Sequence, residues 1–408
     1  MKKITQHISL GLVTAILFSS FIYFAEYNLT NKFINTLFGI SSLALFLYIP
    51  KRAVLIAGFF IGLFWFYWIG YSFQYQDVGY MTPIVTIGFG FIYTLFFAPL
   101  AFTDKKYIRA ILLFSLSFFE PFDFNWLQIE LLFVDSYIGV FKYQLASILF
   151  ALTLPSLVEN RFKYTAIIFF LLALNFSHPV QKEMPLKIKL VATDIKQDIK
   201  WKRDTLQPTV TLIFKEINNA ILKDYDIVVL PESVFPLYMN KNRELIQSLL
   251  KLSQKITIVA GALYREKNLK YNVTYIFQNG IYTIAKKVIL VPFGEYIPLP
   301  SFAKKVINDL FFSGSSDFIG AKKPTDFIIK GIKFRNAICY EATCQEIYDG
   351  DVDFVIAMSN NAWFTPSIEP TLQKLLMKFY AMKNNVTIYH SANSAGTGVI
   401  SSHFTSLK

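Results

Sequence analysis

Residues 227–233 read IVVLPES, a short apolar run that ends at a proline and is followed directly by Glu232. A continuous apolar run of this length, rich in β-branched residues, is typical of a buried strand. Two later stretches repeat the pattern: 335–341 read RNAICYE, with Cys339 after the run, and 354–364 read FVIAMSNNAWF. In open α/β sheets reactive side chains collect beyond the C-terminal ends of strands, so these three ends are candidates for one site.

The surrounding sequence, from residue 182 to 408, alternates strand-like and helix-like runs. This alternation predicts one α/β domain built on a sheet. Asn279 and Gly280, between two strand-like runs, indicate a hairpin turn. The predicted strands are 186–193, 226–230, 256–264, 271–278, 333–339, 353–359 and 386–391, and the predicted helices are 208–223, 241–254, 301–311 and 370–384.

The first 181 residues have a different character. The whole chain is 54% hydrophobic and only 17% charged, which excludes a disordered chain, a collagen-like fibre and a small disulfide scaffold. Residues 1–181 concentrate the apolar runs, and a helix needs about 20 such residues to span a bilayer. We therefore predict a helical membrane domain over 1–181 with about seven spans, at 7–25, 33–50, 53–73, 83–103, 108–120, 137–157 and 164–178.

The charges between these runs predict one orientation. Lys and Arg occur before span one and after spans two, four and six, whereas the loops 74–82 and 122–136 contain neither. Because cytoplasmic loops collect Lys and Arg, the N-terminus is predicted inside and residues 182–408 outside the cytoplasm. A cleaved signal peptide is the alternative for span one, but no A-x-A site follows it. Lys142, inside span six, either snorkels to the interface or lines a polar cavity.

Three side chains in the outer domain form a plausible set for acyl transfer. A thiol such as Cys339 is a weak nucleophile until a base or a positive charge favours its thiolate. Glu232 is a candidate base, and Lys287 a candidate cation for the thiolate and for a tetrahedral oxyanion. The backbone N–H of Tyr340 is a second candidate oxyanion donor.

Other interpretations of these residues remain open at this point. Cys339 is alternatively a buried core thiol, with Glu232 a loop acid and Lys287 a solvated charge. A disulfide with Cys344 is a further alternative, since the outer compartment is oxidising. Two cysteines and four histidines at scattered positions give no metal-ligand spacing, so we predict no metal and no cofactor.

Together these segments resemble the carbon–nitrogen hydrolase (nitrilase) superfamily, and the membrane part narrows the resemblance to the bacterial apolipoprotein N-acyltransferase family. The match covers nearly the whole chain. Its most specific segments are LPES (230–233), LVPFGEYIPL (290–299), AICYE (337–341) and SNNAWF (359–364), with a looser match from Gly62 to Gly70. The resemblance implies a nitrilase-like αββα sandwich for residues 182–408.

Residue by residue, the resemblance implies a catalytic set and a supporting set. Cys339 is the implied nucleophile and Glu232 the implied general base. Of the two adjacent lysines, Lys287 has the family's spacing to the LVPFGE segment and is preferred to Lys286. The supporting residues are a further acid, the two residues after the nucleophile and an aromatic on a mobile arm, namely Glu295, Tyr340, Glu341 and Trp201.

The implied reaction is a ping-pong acyl transfer. A phospholipid is the acyl donor, Cys339 carries the acyl chain as a thioester, and the α-amine of a diacylated apolipoprotein is the acceptor. The resemblance also implies a multi-pass protein of the bacterial inner membrane whose catalytic domain faces the periplasm. We expect a monomer. We expect no nucleic-acid partner, because the charge of +12 is spread over loops without a basic-aromatic motif.

The sequence departs from the family pattern in three places, and two other functions remain open. No apolar run of spanning length follows Gln181, so we expect the C-terminal end to be truncated relative to the family. Residues 379–383 read FYAMK where the family tends to have Arg-Ala-x-Glu, and Asn361 stands where Asp is usual. The alternatives are a membrane-tethered amidase that uses water as the acceptor, and an inactive protein that binds lipids or lipoproteins.

Overall fold

The computed structural model describes residues 2–76, 78–158, 160–176, 182–297 and 318–402. Contacts divide these residues into two compact units. The first contains residues up to 121 and the stretch 125–176. The second contains 182–297 and 318–402, together with the short segment Phe122–Phe124. The predicted helix at 301–311 lies outside the described residues.

The first unit is helical, as its apolar runs predict. Its α-helices are α1 (Lys2–Glu26), α2 (Lys32–Tyr48), α3 (Lys51–Phe66), α4 (Thr82–Ala101), α5 (Lys106–Leu116), α6 (Lys142–Thr153) and α7 (Ala166–Ala173). Among the described residues, three stretches are long and apolar enough to cross a membrane, namely Lys2–Glu26, Lys51–Tyr75 and Gly79–Ala101. Helices α5 to α7 are only 8 to 12 residues long, so the count of seven spans stays a prediction.

Small residues set the packing of α3 on α4. A Cβ on Gly58 would lie 2.7 Å from the carbonyl oxygen of Tyr93, and one on Gly62 would lie 2.4 Å from that of Phe89. This four-residue spacing of glycines lets two helix backbones approach closely, which is a common device between helices in membranes. The two helices therefore pack backbone against backbone.

Two buried charged side chains of the first unit, Arg109 and Glu130, have polar partners. The Arg109 guanidinium donates to the carbonyl oxygen of Ile49 at 2.6 Å, where the C-terminus of α2 leaves carbonyls without helical partners. Lys142 lies 2.6 Å from the buried carboxylate of Glu130 and also bonds the Ser117 carbonyl oxygen. Of the two alternatives for Lys142, the structure favours the polar interior over snorkelling.

The second unit contains two mixed β-sheets. The first has the order β1–β2–β4–β5–β6 with β3 beside β4, and the second has the order β11–β10–β9–β8–β7. Strands β1, β2 and β4 run parallel, as do β8, β9 and β10. The bounds are β1 (Ile188–Leu190), β2 (Ile227–Val229), β3 (Phe235–Tyr238), β4 (Thr257–Glu266), β5 (Leu269–Gln278), β6 (Ile281–Lys286), β7 (Asp326–Ile329), β8 (Ile332–Ile338), β9 (Phe354–Asn360), β10 (Thr387–Asn393) and β11 (Gly398–Ile400).

Alternation along the strands gives each sheet two apolar faces. Ile227 and Val229 of β2 pack in one cluster with Ile356 and Met358 of β9, so this core lies between the sheets. Val228 faces the opposite side, where it packs in a cluster with the helices of the first sheet. Those helices are α9 (Arg203–Leu222) and α10 (Arg243–Leu252), preceded by the short α8 (Gln197–Lys200), and α11 (Glu369–Asn384) packs on β10 and β11 of the second sheet.

Each predicted strand overlaps an observed one, and the Asn279–Gly280 turn joins β5 to β6. Helix α9 begins at Arg203 rather than at 208, so that Pro208 lies inside it. The predicted strands do not include β6, which only the hairpin turn implied. The prediction missed β3, β7 and β11 altogether, and these are three or four residues long. Runs this short carry too few residues for a period of two to be visible.

Candidate active site

Three chain segments bring the predicted catalytic residues to one region. Glu232 follows β2, Lys287 follows β6 and Cys339 follows β8. The first two strands belong to one sheet and β8 belongs to the other, so the site forms where the sheets face each other. All three side chains are largely enclosed: Glu232 is 7% exposed, Lys287 is 1% exposed, and Cys339 is partly buried.

Glu232 is fixed by one hydrogen-bond donor on each carboxylate oxygen. The side-chain amide of Asn272 donates to Oε1 at 2.7 Å, and the backbone N–H of Asn360 donates to Oε2 at 2.8 Å. Asn272 lies on β5, and Asn360 ends β9, so both sheets position this carboxylate. Each oxygen keeps a lone pair with which it can accept a proton.

Lys287 pairs with Glu295 inside the site. Its Nζ lies 2.7 Å from Oε2 of Glu295, which also accepts the backbone N–H of Val291 at 2.9 Å. Burial alone would lower the pKa of Lys287, but the negative charges of Glu295 and Glu232 raise it above its ordinary value. The lysine therefore remains an ammonium at every physiological pH, which suits a fixed positive charge.

Cys339 occupies a left-handed backbone conformation, with φ of 56°, at the junction between β8 and the 3-10 turn Cys339–Thr343. Burial and the negative charge of Glu232 raise the pKa of its thiol well above the ordinary value, and Lys287 opposes this effect. At neutral pH the resting residue is thus a thiol rather than a thiolate. Cys339 therefore needs a base that removes its proton during attack. Among the carboxylates, Glu232 has the largest effect on the pKa of this thiol.

Glu341 ties the turn of the nucleophile to the segment that follows Lys287. Its Oε1 accepts the backbone N–H of Ile338 at 2.6 Å, and its Oε2 accepts those of Val288 at 2.8 Å and Ile289 at 3.2 Å. Burial raises the pKa of this carboxyl to about 7, although Lys287 and the three N–H donors lower it. Through these hydrogen bonds Glu341 holds the Cys339 turn and the segment after Lys287 in fixed positions.

The remaining predicted residues, Glu295, Tyr340 and Trp201, differ in how they contact the site. Glu295 belongs to the site through Lys287 and through Asn272, whose amide reaches its Oε1 at 3.4 Å. The Tyr340 side chain points to the segment Phe122–Phe124, where its hydroxyl donates to the Asp123 carbonyl oxygen at 2.9 Å. Trp201 ends α8 with 45% of its surface exposed.

Both cysteines are free, so the disulfide between Cys339 and Cys344 does not form. Cys344 is buried and its thiol lies 3.5 Å from the carbonyl oxygen of Tyr340. The interpretation of Cys339 as an inert core thiol is not favoured either, because buried charges of both signs act on it.

Sequence reasoning missed several buried residues of the site. Lys200 is 1% exposed, and its Nζ donates to the carbonyl oxygen of Glu232 at 3.1 Å. Burial lowers the pKa of Lys200 to about 8, against the effects of Glu232 and Cys339. Glu369 is also buried, and burial together with Glu232 raises its pKa well above the ordinary value. In the sequence, these residues could have been found by their neighbours: Lys200 precedes the predicted Trp201, and Glu369 follows the SNNAWF segment by five residues.

Comparison with known proteins gives two family matches. Residues 5–176 match the apolipoprotein N-acyltransferase integral membrane domain, and residues 194–406 match the carbon–nitrogen hydrolase family. The chain is 38% identical over 397 residues to the apolipoprotein N-acyltransferase of Wolinella succinogenes, covering 97% of this chain and 96% of that protein. It is 34% identical to the one of Helicobacter pylori, covering 88% and 86% of the two chains.

Among solved structures, the chain is similar to a carbon–nitrogen hydrolase superfamily protein from Xanthomonas campestris. The two are 13% identical, with a TM-score of 0.41, and the match covers 54% of this chain and 83% of that one.

Proposed function

Because this chain belongs to the apolipoprotein N-acyltransferase family, we propose that it moves an acyl chain from a phospholipid, through a thioester on Cys339, to the N-terminal amine of a diacylated apolipoprotein. Family membership confirms the resemblance predicted from the motifs and makes the protein a membrane-bound enzyme. The donor, the covalent intermediate and the residue roles are parts of the proposal.

One observation carries the mechanism: the ends of β2, β6 and β8 bring Glu232, Lys287 and Cys339 to one region between the two sheets, where the two charges act on the thiol with opposite sign. A partly buried thiol in the same region as a carboxylate and a fixed ammonium has both a proton acceptor and a stabiliser for negative charge. This combination supports nucleophilic attack on an acyl carbon.

In the first half-reaction Glu232 takes the thiol proton of Cys339 while sulfur attacks the ester carbon. Lys287 and backbone N–H groups of the turn stabilise the negative charge that develops on the ester oxygen. The tetrahedral intermediate then breaks its C–O bond, and the departing lysophospholipid alkoxide takes the proton from Glu232. The acyl chain remains on sulfur as a thioester, and the carboxylate is regenerated.

In the second half-reaction the neutral α-amine of the apolipoprotein attacks the thioester carbon. Glu232 accepts the amine proton, the C–S bond breaks, and the proton passes to the sulfur of Cys339. The product is an N-acylated lipoprotein, and the free thiol is restored. A site anchored to the membrane meets both lipid substrates at a high effective concentration. We place this chemistry on the periplasmic side of the inner membrane, as the loop charges predict.

The experiment follows an acyl label from phospholipid to acceptor. Purified full-length protein is mixed with labelled phospholipid, first alone and then with a diacylated lipopeptide. We expect a labelled thioester at Cys339 and then transfer to the peptide amine, and we expect Cys339→Ser and Glu232→Ala to form no acyl-enzyme.

Cys344→Ala is the matched control, because it removes the other thiol of the chain and should retain the label. Labelled free acid without an N-acyl peptide would support the amidase alternative instead. A chain that binds lipid but never forms the thioester would be a binding protein.

A further inference from the structure

Helix α11 presents one side chain directly to the sulfur of the nucleophile. Gln373 is fully buried, and its Nε2 lies 3.8 Å from Sγ of Cys339. An amide N–H at this position can donate a hydrogen bond to sulfur, and such a bond is stronger when the acceptor carries a charge. The mechanism above leaves this contact without a role.

A backbone carbonyl determines which end of the Gln373 amide faces sulfur. The side chain of Asn361 lies 2.9 Å from the carbonyl oxygen of Ala395. This oxygen only accepts, so the Asn361 atom beside it is the NH₂ group. The same NH₂ lies 3.1 Å from the side-chain oxygen of Gln373. The amide of Gln373 therefore directs its own NH₂ to Cys339.

The identity of residue 361 decides this orientation. An aspartate there would offer only acceptors to Gln373 and to Ala395. It would attract the NH₂ of Gln373 and turn the amide oxygen toward sulfur. Asparagine instead keeps the donor of Gln373 on the sulfur side.

We propose that Gln373, oriented by Asn361, is a positioning residue that donates an N–H hydrogen bond to the sulfur of Cys339 and stabilises its thiolate. The inference rests on the proposed function only in taking Cys339 as the nucleophile. The bond acts when the thiol proton moves to Glu232, and again when the C–S bond of the thioester breaks. At both moments negative charge develops on the sulfur.

The pH dependence of the thiol reports on this bond. The charged and titratable groups acting on the sulfur are Glu232, Lys287, Glu295, Glu369 and Lys200, and these groups stay unchanged in the test. The test protein is the full chain with Cys344→Ala, so that Cys339 is its only thiol. Its rate of alkylation by iodoacetamide is measured against pH, because only the thiolate reacts.

Gln373→Met keeps the side-chain length and removes the donor. We expect alkylation at pH 7 to slow by about tenfold, the effect of one hydrogen bond to a charged acceptor, and its pH midpoint to rise by about one unit. Asn361→Leu keeps Gln373 and adds no charge, but it removes the NH₂ group that holds the oxygen of the Gln373 amide, so a drop of up to that size is expected. In the double variant Asn361→Leu should add nothing to Gln373→Met, because its effect passes through the amide.

Gln345→Met is the matched control, since this glutamine bonds Asp349 and Asn384 and does not approach Cys339. Its profile should equal that of the parent protein. The inference would be overturned if the pH profile of alkylation in Gln373→Met equalled that of the parent protein, or if the effects of the two substitutions were additive in the double variant. If Gln373→Met fails to fold, the single variant Asn361→Leu decides alone, and a profile equal to that of the parent protein would overturn the inference. Failure of the parent protein to take acyl label from phospholipid would overturn the proposed function but leave the alkylation result intact.

Discussion

At the scale of single residues, the two charges around Cys339 have opposite effects on its thiol. Glu232 raises the thiol pKa and Lys287 lowers it, on top of the larger effect of burial. If Glu232 is the proton acceptor, then the charge that makes the resting thiol less acidic is also the group needed for catalysis. Reactivity toward a small alkylating reagent and acyl transfer should therefore respond differently to the same substitution.

Glu232→Gln tests this separation. Loss of the negative charge lowers the thiol pKa, so the thiolate fraction and the iodoacetamide rate at pH 7 should rise several-fold, about tenfold for each unit. Acyl-enzyme formation from phospholipid should nevertheless be lost, because the proton acceptor is gone. Lys287→Met should slow alkylation, since it removes the charge that favours the thiolate. Alkylation rates that change in the same direction in both variants would contradict this electrostatic account.

At the scale of elements, the end of β8 stores backbone strain. Cys339 adopts φ of 56°, a region that side chains with a Cβ occupy at a cost of roughly 1–2 kcal/mol. The surrounding bonds of Glu341 to Ile338, Val288 and Ile289 hold this turn in place. The strain is the consequence of projecting the thiol from a sharp strand-to-turn junction.

A matched pair of inactive variants measures this strain. Cys339→Gly and Cys339→Ala both remove the thiol, but only glycine adopts the left-handed region without a Cβ penalty. We expect the glycine variant to be more stable than the alanine variant by roughly 1 kcal/mol in the free energy of unfolding, despite the greater flexibility of its unfolded chain. Thermal unfolding in detergent compares the two directly, and equal or lower stability of the glycine variant would show that the turn is unstrained.

A second element-scale feature is the close approach of β4 to the Glu232 loop. A Cβ on Gly261 would lie 2.5 Å from the backbone nitrogen of Ser233 and 2.7 Å from Cα of Glu232. Neither backbone atom can give way without moving the loop. Glycine at 261 is therefore needed for the position of Glu232.

Gly261→Ala should displace the carboxylate and reduce the rate of acyl-enzyme formation by up to about a hundredfold, as misplacements near 1 Å do. The rate of thioester formation from labelled phospholipid measures this. Gly88→Ala in α4 is the control, because no atom lies within 4 Å of its added Cβ. Full activity of Gly261→Ala would show that the loop tolerates the shift.

At the scale of the whole molecule, the loop charges predict the orientation in the membrane. Lys51 and Arg52 are the first two residues of α3 and are predicted inside, whereas residues from 182 onward are predicted outside. Alkaline phosphatase, which is active only outside the cytoplasm, reports this in bacterial cells. A fusion after residue 181 should be active and one after residue 52 inactive. The reverse result would overturn the predicted topology.

The sequence by itself determined the features that depend on local patterns. Apolar runs of the first 181 residues fold as helices, and the β-branched runs before Glu232 and Cys339 fold as strands. Both periodicities arise from backbone geometry within a single segment. The family motifs likewise lie within short segments. Sequence was enough for these features because each is encoded by neighbouring residues.

Only the tertiary structure decided how the candidate site is assembled. Asn272, Lys200 and Gln373 come from a strand, a short helix and a long helix that are far apart in the chain, yet each contacts Glu232 or Cys339. No local period marks an amide or a lysine that faces a site rather than solvent. Their role depends on burial and on hydrogen bonds across two packed sheets, which no single segment contains. Asn361 shows the same limit, because the residue is visible in the sequence but its consequence, the direction of the Gln373 amide, depends on the carbonyl of Ala395.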